Sequence, residues 1–279
     1  MSNVDTRVAA IIVDFHAGEA LRTCIESLRV NGVSNVVVVE NGSEGSAGLA
    51  PGTHDVTLVE PHMNLGYGRG VNRGAAHTGE IDYLLVLNPD VVVHDGAVDA
   101  MVRYLDARGD VGIVGPQILR PDGSVYPSQR AFPNFWLAGV HALLEPLWAN
   151  NPATRRYRSA RADGSVEWVS GACFLVRRDV FEAVGGFDER YFMFAEDMAL
   201  CWQIRAHGFE VGATSEAQVT HIQGLSRQHV SRAMLLAHHR SALRFEWQTA
   251  SGVRRVLAPL ASLVLGLRLV VVLMASRRS

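Results

Sequence analysis

The sequence predicts an α/β protein with a mostly parallel sheet flanked by helices, and three observations carry that prediction. Short apolar runs alternate with stretches of helical spacing from Val8 to Gly115, the pattern of successive strand–helix units. The run Tyr83-Leu84-Leu85-Val86-Leu87 shows no apolar–polar alternation, as expected of a strand covered on both faces. It stops at Asn88-Pro89-Asp90, because proline cannot donate to a ladder and disfavours helical backbone before it. Asp90 is thereby set at a carboxyl end, the edge where open α/β sheets bind ligands.

The elements follow in order. Val8 to Val13 reads as the first strand, Gly18 to Leu28 as a helix with Leu21, Cys24, Ile25 and Leu28 on one face, and Asn35 to Val39 as a second strand ending in Glu40-Asn41-Gly42-Ser43. Val56 to Val59 is a third strand. The glycine-dense segment Asn64 to Gly74 after it allows close backbone approach to a phosphate or base. Val71 stands where the last glycine of a dinucleotide fingerprint belongs, which argues against an NAD enzyme. A helix at Ala97 to Ala107, a strand from Val111 and a turn at Pro121-Asp122-Gly123 come next. Phe132 to Arg161 is irregular and suits a connection covering a substrate. Val166 to Val176 reads as one strand leading into a helix at Asp179 to Val184. Glu196-Asp197 opens a further helix ending at Gly208, and Gln218 to Ile222 is a short final strand carrying His221.

Composition narrows the chemistry. All 26 basic residues are Arg, which excludes a P-loop lysine, a Schiff-base lysine and a lysine-dependent kinase site. Cys24, Cys173 and Cys201 form no C-x-x-C pair and read as reduced core residues of a cytosolic protein. Asp14 interrupts the first apolar stretch, so no signal peptide is expected. From His221 onward nine Arg face the single acid Glu246, whereas the first 220 residues carry 17 basic and 27 acidic side chains. An acidic body with a basic tail points to an anionic surface as the tail's partner, and no nucleic-acid partner is expected.

Spacing leaves the candidate residues open. Glu40 reads equally as a surface turn residue or a ligand contact. Glu196 and Asp197 complement a helix dipole, worth ~0.3–1 kcal/mol, or form a base tuned by the aromatic run before them. His221 is a satisfied histidine or, in the company of Asp90, a metal ligand.

Six motifs in one order resemble the inverting GT-A-fold glycosyltransferases of family 2, and within them bacterial rhamnosyltransferases acting on N-acetylglucosaminyl-diphospho-polyprenol. They are Glu40-Asn41-Gly42-Ser43, Asn64 to Gly74, Asn88-Pro89-Asp90, Trp168-x-Ser170-Gly171-Ala172, Gly185-Gly186-Phe187-Asp188 with Glu196-Asp197, and His221. The resemblance covers Val8 to Gln228 and implies a Rossmann-like GT-A domain over 1–228. It implies that Glu40 accepts the N–H of a pyrimidine base and that Asn64, Gly66, Asn72, Asn88 and Asp90 bind the nucleotide-sugar. Asp90 and His221 would hold Mg²⁺ or Mn²⁺, and Trp168, Ser170 and Gly171 would meet the acceptor. Asp197 would be the base, with Glu196 beside it. The implied reaction moves L-rhamnose from dTDP-rhamnose to a polyprenyl-diphosphate-linked sugar; a UDP-sugar donor, a nucleotidyltransferase and a silent nucleotide-sugar-binding scaffold are the alternatives. Asp14-Phe15-His16 departs from the family's Thr-Tyr-Asn, leaving base contacts from that loop open.

Residues 229–279 form the tail. His229 to Thr249 reads as a basic helix, and Val256 to Ala275 is apolar between arginine pairs. Twenty helical residues span ~30 Å, but Pro259 and Arg268 oppose crossing a bilayer. A helix lying in the interface on the cytoplasmic face fits better, with packing on protein as the alternative. The oligomeric state is not readable from the sequence.

Overall fold

The computed structural model describes residues 4–42, 56–130, 132, 164–222 and 232–252, with single positions and pairs as far as 266. Its elements are α1 (Val4–Arg7), β1 (Val8–Asp14), α2 (Glu19–Val30), β2 (Val36–Glu40), β3 (Thr57–Val59), α3 (Tyr67–Ala75), β4 (Tyr83–Leu87), β5 (Val91–Val93) and α4 (Ala97–Asp106). There follow β6 (Val111–Leu119), β7 (Val125–Tyr126), β8 (Gln129–Arg130), β9 (Gly164–Val166), β10 (Trp168–Val169), β11 (Cys173–Arg177), α5 (Arg178–Ala183), α6 (Glu196–Ala206), β12 (Glu210–His221) and α7 (Arg232–Thr249).

The central sheet runs β3-β2-β1-β4-β11-β6-β12-β5. β3, β2, β1 and β4 are parallel, as are β6 and β12, while β11 lies antiparallel between β4 and β6. Apolar residues of one strand divide between two cores. Val8, Ala10 and Ile12 of β1 with Tyr83, Leu85 and Leu87 of β4 meet Leu21, Cys24 and Leu28 of α2 and Met101 and Leu105 of α4. Ile11, Val13, Leu84 and Val86 face the other way, onto Val71 of α3, Phe181 of α5 and Leu200 and Ile204 of α6. Two-sided burial explains why β4 carries no polar alternation.

Two expectations change, and the glycine-dense segment gains a packing role. Val166 to Val176 is not one strand: it breaks into β9, β10 and β11, with a turn at Ser170–Ala172. Val169 pairs outward with Gln129 of β8, whereas Cys173 pairs with Leu87, so the chain must bend between them. The last strand is twelve residues rather than five, and a register shift between Thr214 and Gln218 hides its continuity in the sequence. Glycines of the 64–74 segment also serve packing. Gly70 lies against Val13, and a side chain at Gly74 would meet Ile11 at 2.6 Å, so α3 sits close on the sheet.

The connection expected over 133–161 and most of the apolar Val256 to Ala275 stretch lie outside the described residues. Among the described residues, no helix is long and apolar enough to cross a membrane. α7 packs on the body: Phe245 is buried with Tyr191, Ala195 and Ala199.

Candidate active site

The reversed strand β11 is what assembles the site. Because it runs antiparallel to β4, its amino end lies beside the carboxyl end of β4, with Cys173 opposite Leu87. The Gly171–Ala172 turn is thereby brought to the edge where Asn88 and Asp90 stand, and the Asn88 N–H donates to the Ala172 carbonyl at 2.9 Å.

Gly171 is held from two sides. Its N–H donates to Asp197 Oδ2 at 2.8 Å, and its carbonyl accepts the Tyr67 O–H at 2.6 Å. A chain of backbone contacts thus joins the Asp90 loop to Asp197. The sequence reading did not single out Tyr67; its place between Gly66 and Gly68, the one large side chain there, was the available signal.

Asp90 and His221 meet as expected. His221 Nε2 lies 3.0 Å from Asp90 Oδ1, and both side chains are mostly buried. Two adjacent ligands at ~2.1 Å from one octahedral ion stand ~3.0 Å apart, so this pair fits a divalent cation as well as a shared proton. The other imidazole nitrogen, Nδ1, is buried with no partner among the described residues. No group of three or more His, Cys, Asp or Glu side chains converges among the described residues, so further ligands would come from phosphate oxygens and water.

Glu196 and Asp197 differ sharply in surroundings. Burial, and then the charge of Asp197, push the Glu196 carboxyl up to about 8, and its Oε2 has no partner among the described residues. Burial raises Asp197 too, but N–H donors from Gly171 and Met198 and the charge of Arg130 act against it. Of two coupled carboxyls, the one with N–H donors carries the negative charge more readily, and here that is Asp197.

Glu40 is buried at the end of β2, opposite Asp14 in the parallel register. Burial raises Asp14, partly offset by the Ala17 N–H, with the Glu40 charge adding to the rise. Asn64 and Asn72 also act as braces. Asn64 Oδ1 accepts the Gly66 N–H at 2.9 Å, while both ends of the Asn72 amide bond the Phe187 backbone at 2.9 Å. Asn41, not singled out from sequence, straps the same loop: its Oδ1 accepts the Leu65 N–H at 2.7 Å and its Nδ2 donates to the Gly66 carbonyl at 3.2 Å. Gly66 is obligatory, because its φ is 81° and a Cβ would lie 2.1 Å from the Phe192 carbonyl. Trp168 has the Arg130 guanidinium 5.8 Å from its ring centre, and Ser170 Oγ accepts the Ala172 N–H at 3.3 Å.

A family model described as "Glycosyltransferase like family 2" matches residues 6–235. An N-acetylglucosaminyl-diphospho-decaprenol L-rhamnosyltransferase of Mycobacterium tuberculosis is 39% identical over 233 residues, covering 78% of this chain and 76% of that one. The Escherichia coli rhamnosyltransferase WbbL is 28% identical over 150 residues, 51% of this chain and 55% of its own. Among solved structures, GalNAc-T7 with UDP, GalNAc and Mn²⁺ superposes with a TM-score of 0.61 at 15% identity, over 88% of this chain and 52% of that chain. The mannosyltransferase PcManGT of Pyrobaculum calidifontis with GDP-Man and Mn²⁺ gives 0.59 at 14%, over 91% and 68%. The structural likenesses speak for the α/β GT-A fold, and the sequence matches for the family. The chain belongs to the family 2-like glycosyltransferases, as a hexosyl-transferring enzyme on that fold.

Proposed function

We propose that the enzyme transfers L-rhamnose from dTDP-rhamnose to a polyprenyl-diphosphate-linked N-acetylglucosamine, inverting the anomeric carbon, at the inner face of the cell membrane. The transferred sugar and the acceptor class follow the relative at 39% identity, an N-acetylglucosaminyl-diphospho-decaprenol L-rhamnosyltransferase, and the donor follows from the motif resemblance. The observation that carries the chemistry is the contact chain from the Asn88–Asp90 loop through Ala172 and Gly171 to Asp197, which puts a cation-competent pair and an ionisable base on one sheet edge.

Each residue then has a task. Glu40 accepts the imide N–H of the base, and Asp90 and His221 hold Mg²⁺ or Mn²⁺. A divalent ion held by them would supply neutralisation of charge on the leaving diphosphate. Asp197 takes the proton from the acceptor hydroxyl as it attacks, a contribution of ~10²–10⁴-fold. Glu196, kept protonated by burial, adds no second charge beside it. One displacement inverts the carbon without a covalent nucleophile. Asn41, Asn64 and Asn72 hold the donor loop, while Trp168, Ser170 and Gly171 face the acceptor. Residues 1–228 make up the catalytic domain, and 229–279 attach it to the membrane surface.

Calorimetry with dTDP-rhamnose, UDP-glucose and UDP-galactose, each with and without Mn²⁺, tests the donor. Metal-dependent preference for dTDP-rhamnose is expected. Preference for a UDP-sugar would overturn the donor, and absence of binding by all three would overturn catalysis by this site.

A further inference from the structure

The segment that delivers Asp197 is strained. Phe194 and Ala195, immediately before Glu196, have φ of 67° and 63°. Left-handed backbone in a residue with a Cβ costs ~1–2 kcal/mol and persists where neighbouring structure enforces it.

The enforcing contacts come from one face of α7. The Ser241 hydroxyl donates to the Met193 carbonyl at 2.8 Å, and Gln248 Oε1 accepts the Tyr191 O–H at 2.8 Å. Phe245, 2% exposed, packs against Tyr191, Ala195 and Ala199, and the His238 ring meets Phe194 edge-on at 5.3 Å. Positions 238, 241, 245 and 248 recur at three and four residues, which is one helical stripe. On its other side the strained segment is tied to α3, where the Phe192 carbonyl accepts the Tyr67 N–H at 3.1 Å. The donor-side tie therefore does not depend on α7.

We propose that α7 is a positioning element of the active site, with Ser241 as its key residue: by holding Met193–Ala195 it aims Asp197 at Gly171 and the acceptor, without touching either substrate. The inference rests on the reading of Asp197 as the base. Its consequence is that α7 controls turnover through its hold on Met193–Ala195 rather than through a contact with substrate.

The test is Ser241→Ala in the full chain, followed by steady-state transfer and by hydrogen exchange. Loss of one hydrogen bond of ~1 kcal/mol predicts kcat about fivefold lower, with the donor KM within about twofold of wild type. Exchange of the 193–197 amides should quicken by a similar factor while β1 and β4 stay unchanged. Adding Ala195→Gly, which relieves the left-handed strain, should recover part of kcat. Unchanged exchange at 193–197 would overturn the proposal, as would a parallel loss of kcat, donor affinity and Tm. If the wild-type chain transfers nothing to the chosen acceptor, faster exchange confined to 193–197 still supports the positioning and sinks only the acceptor reading.

Discussion

Asp197 Oδ2 accepts the Gly171 N–H at 2.8 Å, so the candidate base is locked to the turn that also accepts the Asn88 N–H. Asp197→Asn keeps the size of the side chain but removes the base. Transfer should fall by ~10²–10⁴-fold while dTDP-rhamnose affinity stays within about threefold. Transfer at the wild-type rate would remove Asp197 from the mechanism.

The 3.0 Å separation of His221 Nε2 and Asp90 Oδ1 makes a different prediction. Asp90→Asn and His221→Ala should each abolish the Mn²⁺-dependent part of donor binding and leave the metal-independent part in place. Calorimetric titrations with and without Mn²⁺ read this directly. A metal effect that persists in both variants would show that the ion sits elsewhere.

Glu196 titrates against its surroundings, which are Asp197 and the buried Tyr67 hydroxyl. Its folded-state pKa, about 8, lies above the ordinary 4.5, so folding favours its protonated form. That contribution is complete below the unfolded value and is lost as pH rises through the folded one. Glu196→Gln cannot ionise, so its Tm should exceed that of wild type by a margin that grows from pH 4.5 towards 8. A margin independent of pH would mean that Glu196 is ionised throughout.

Arg240, Arg244 and Trp247 form an exposed stripe on α7, along which Arg244 also lies 5.9 Å from the Tyr191 ring centre and Trp247 donates to Ser262 Oγ at 3.0 Å. If this stripe meets an anionic membrane, each arginine contributes ~1 kcal/mol, and Arg240→Glu with Trp247→Ser should lower partitioning onto phosphatidylglycerol vesicles at least about tenfold. Partitioning equal to wild type would place membrane attachment elsewhere in the tail.

Much of the molecule was legible in the sequence because it depends on local pattern. Unalternating apolar runs marked β1, β2 and β4, and their polar ends marked Glu40 and Asp90. The pairing of Asp90 with His221 was implied by the family resemblance. What escaped was set by contacts between distant segments. The amides of Asn64 and Asn72 also brace Gly66 and Phe187, partners that no spacing identifies. Tyr67 and Asn41 went unassigned for the same reason.

By itself, then, the sequence determined the fold class, the strand ends that carry acids and the family-specific order of motifs, all consequences of side-chain periodicity and backbone chemistry. Only the tertiary structure decided how the two acids differ in surroundings and what packs against the segment before them. The reversal of β11 carries Gly171 to the edge of β4, hydrogen bonding separates Asp197 from Glu196, and α7 packs against the left-handed turn before them. Each of these is a long-range packing effect, and a single chain of residue types does not encode it locally.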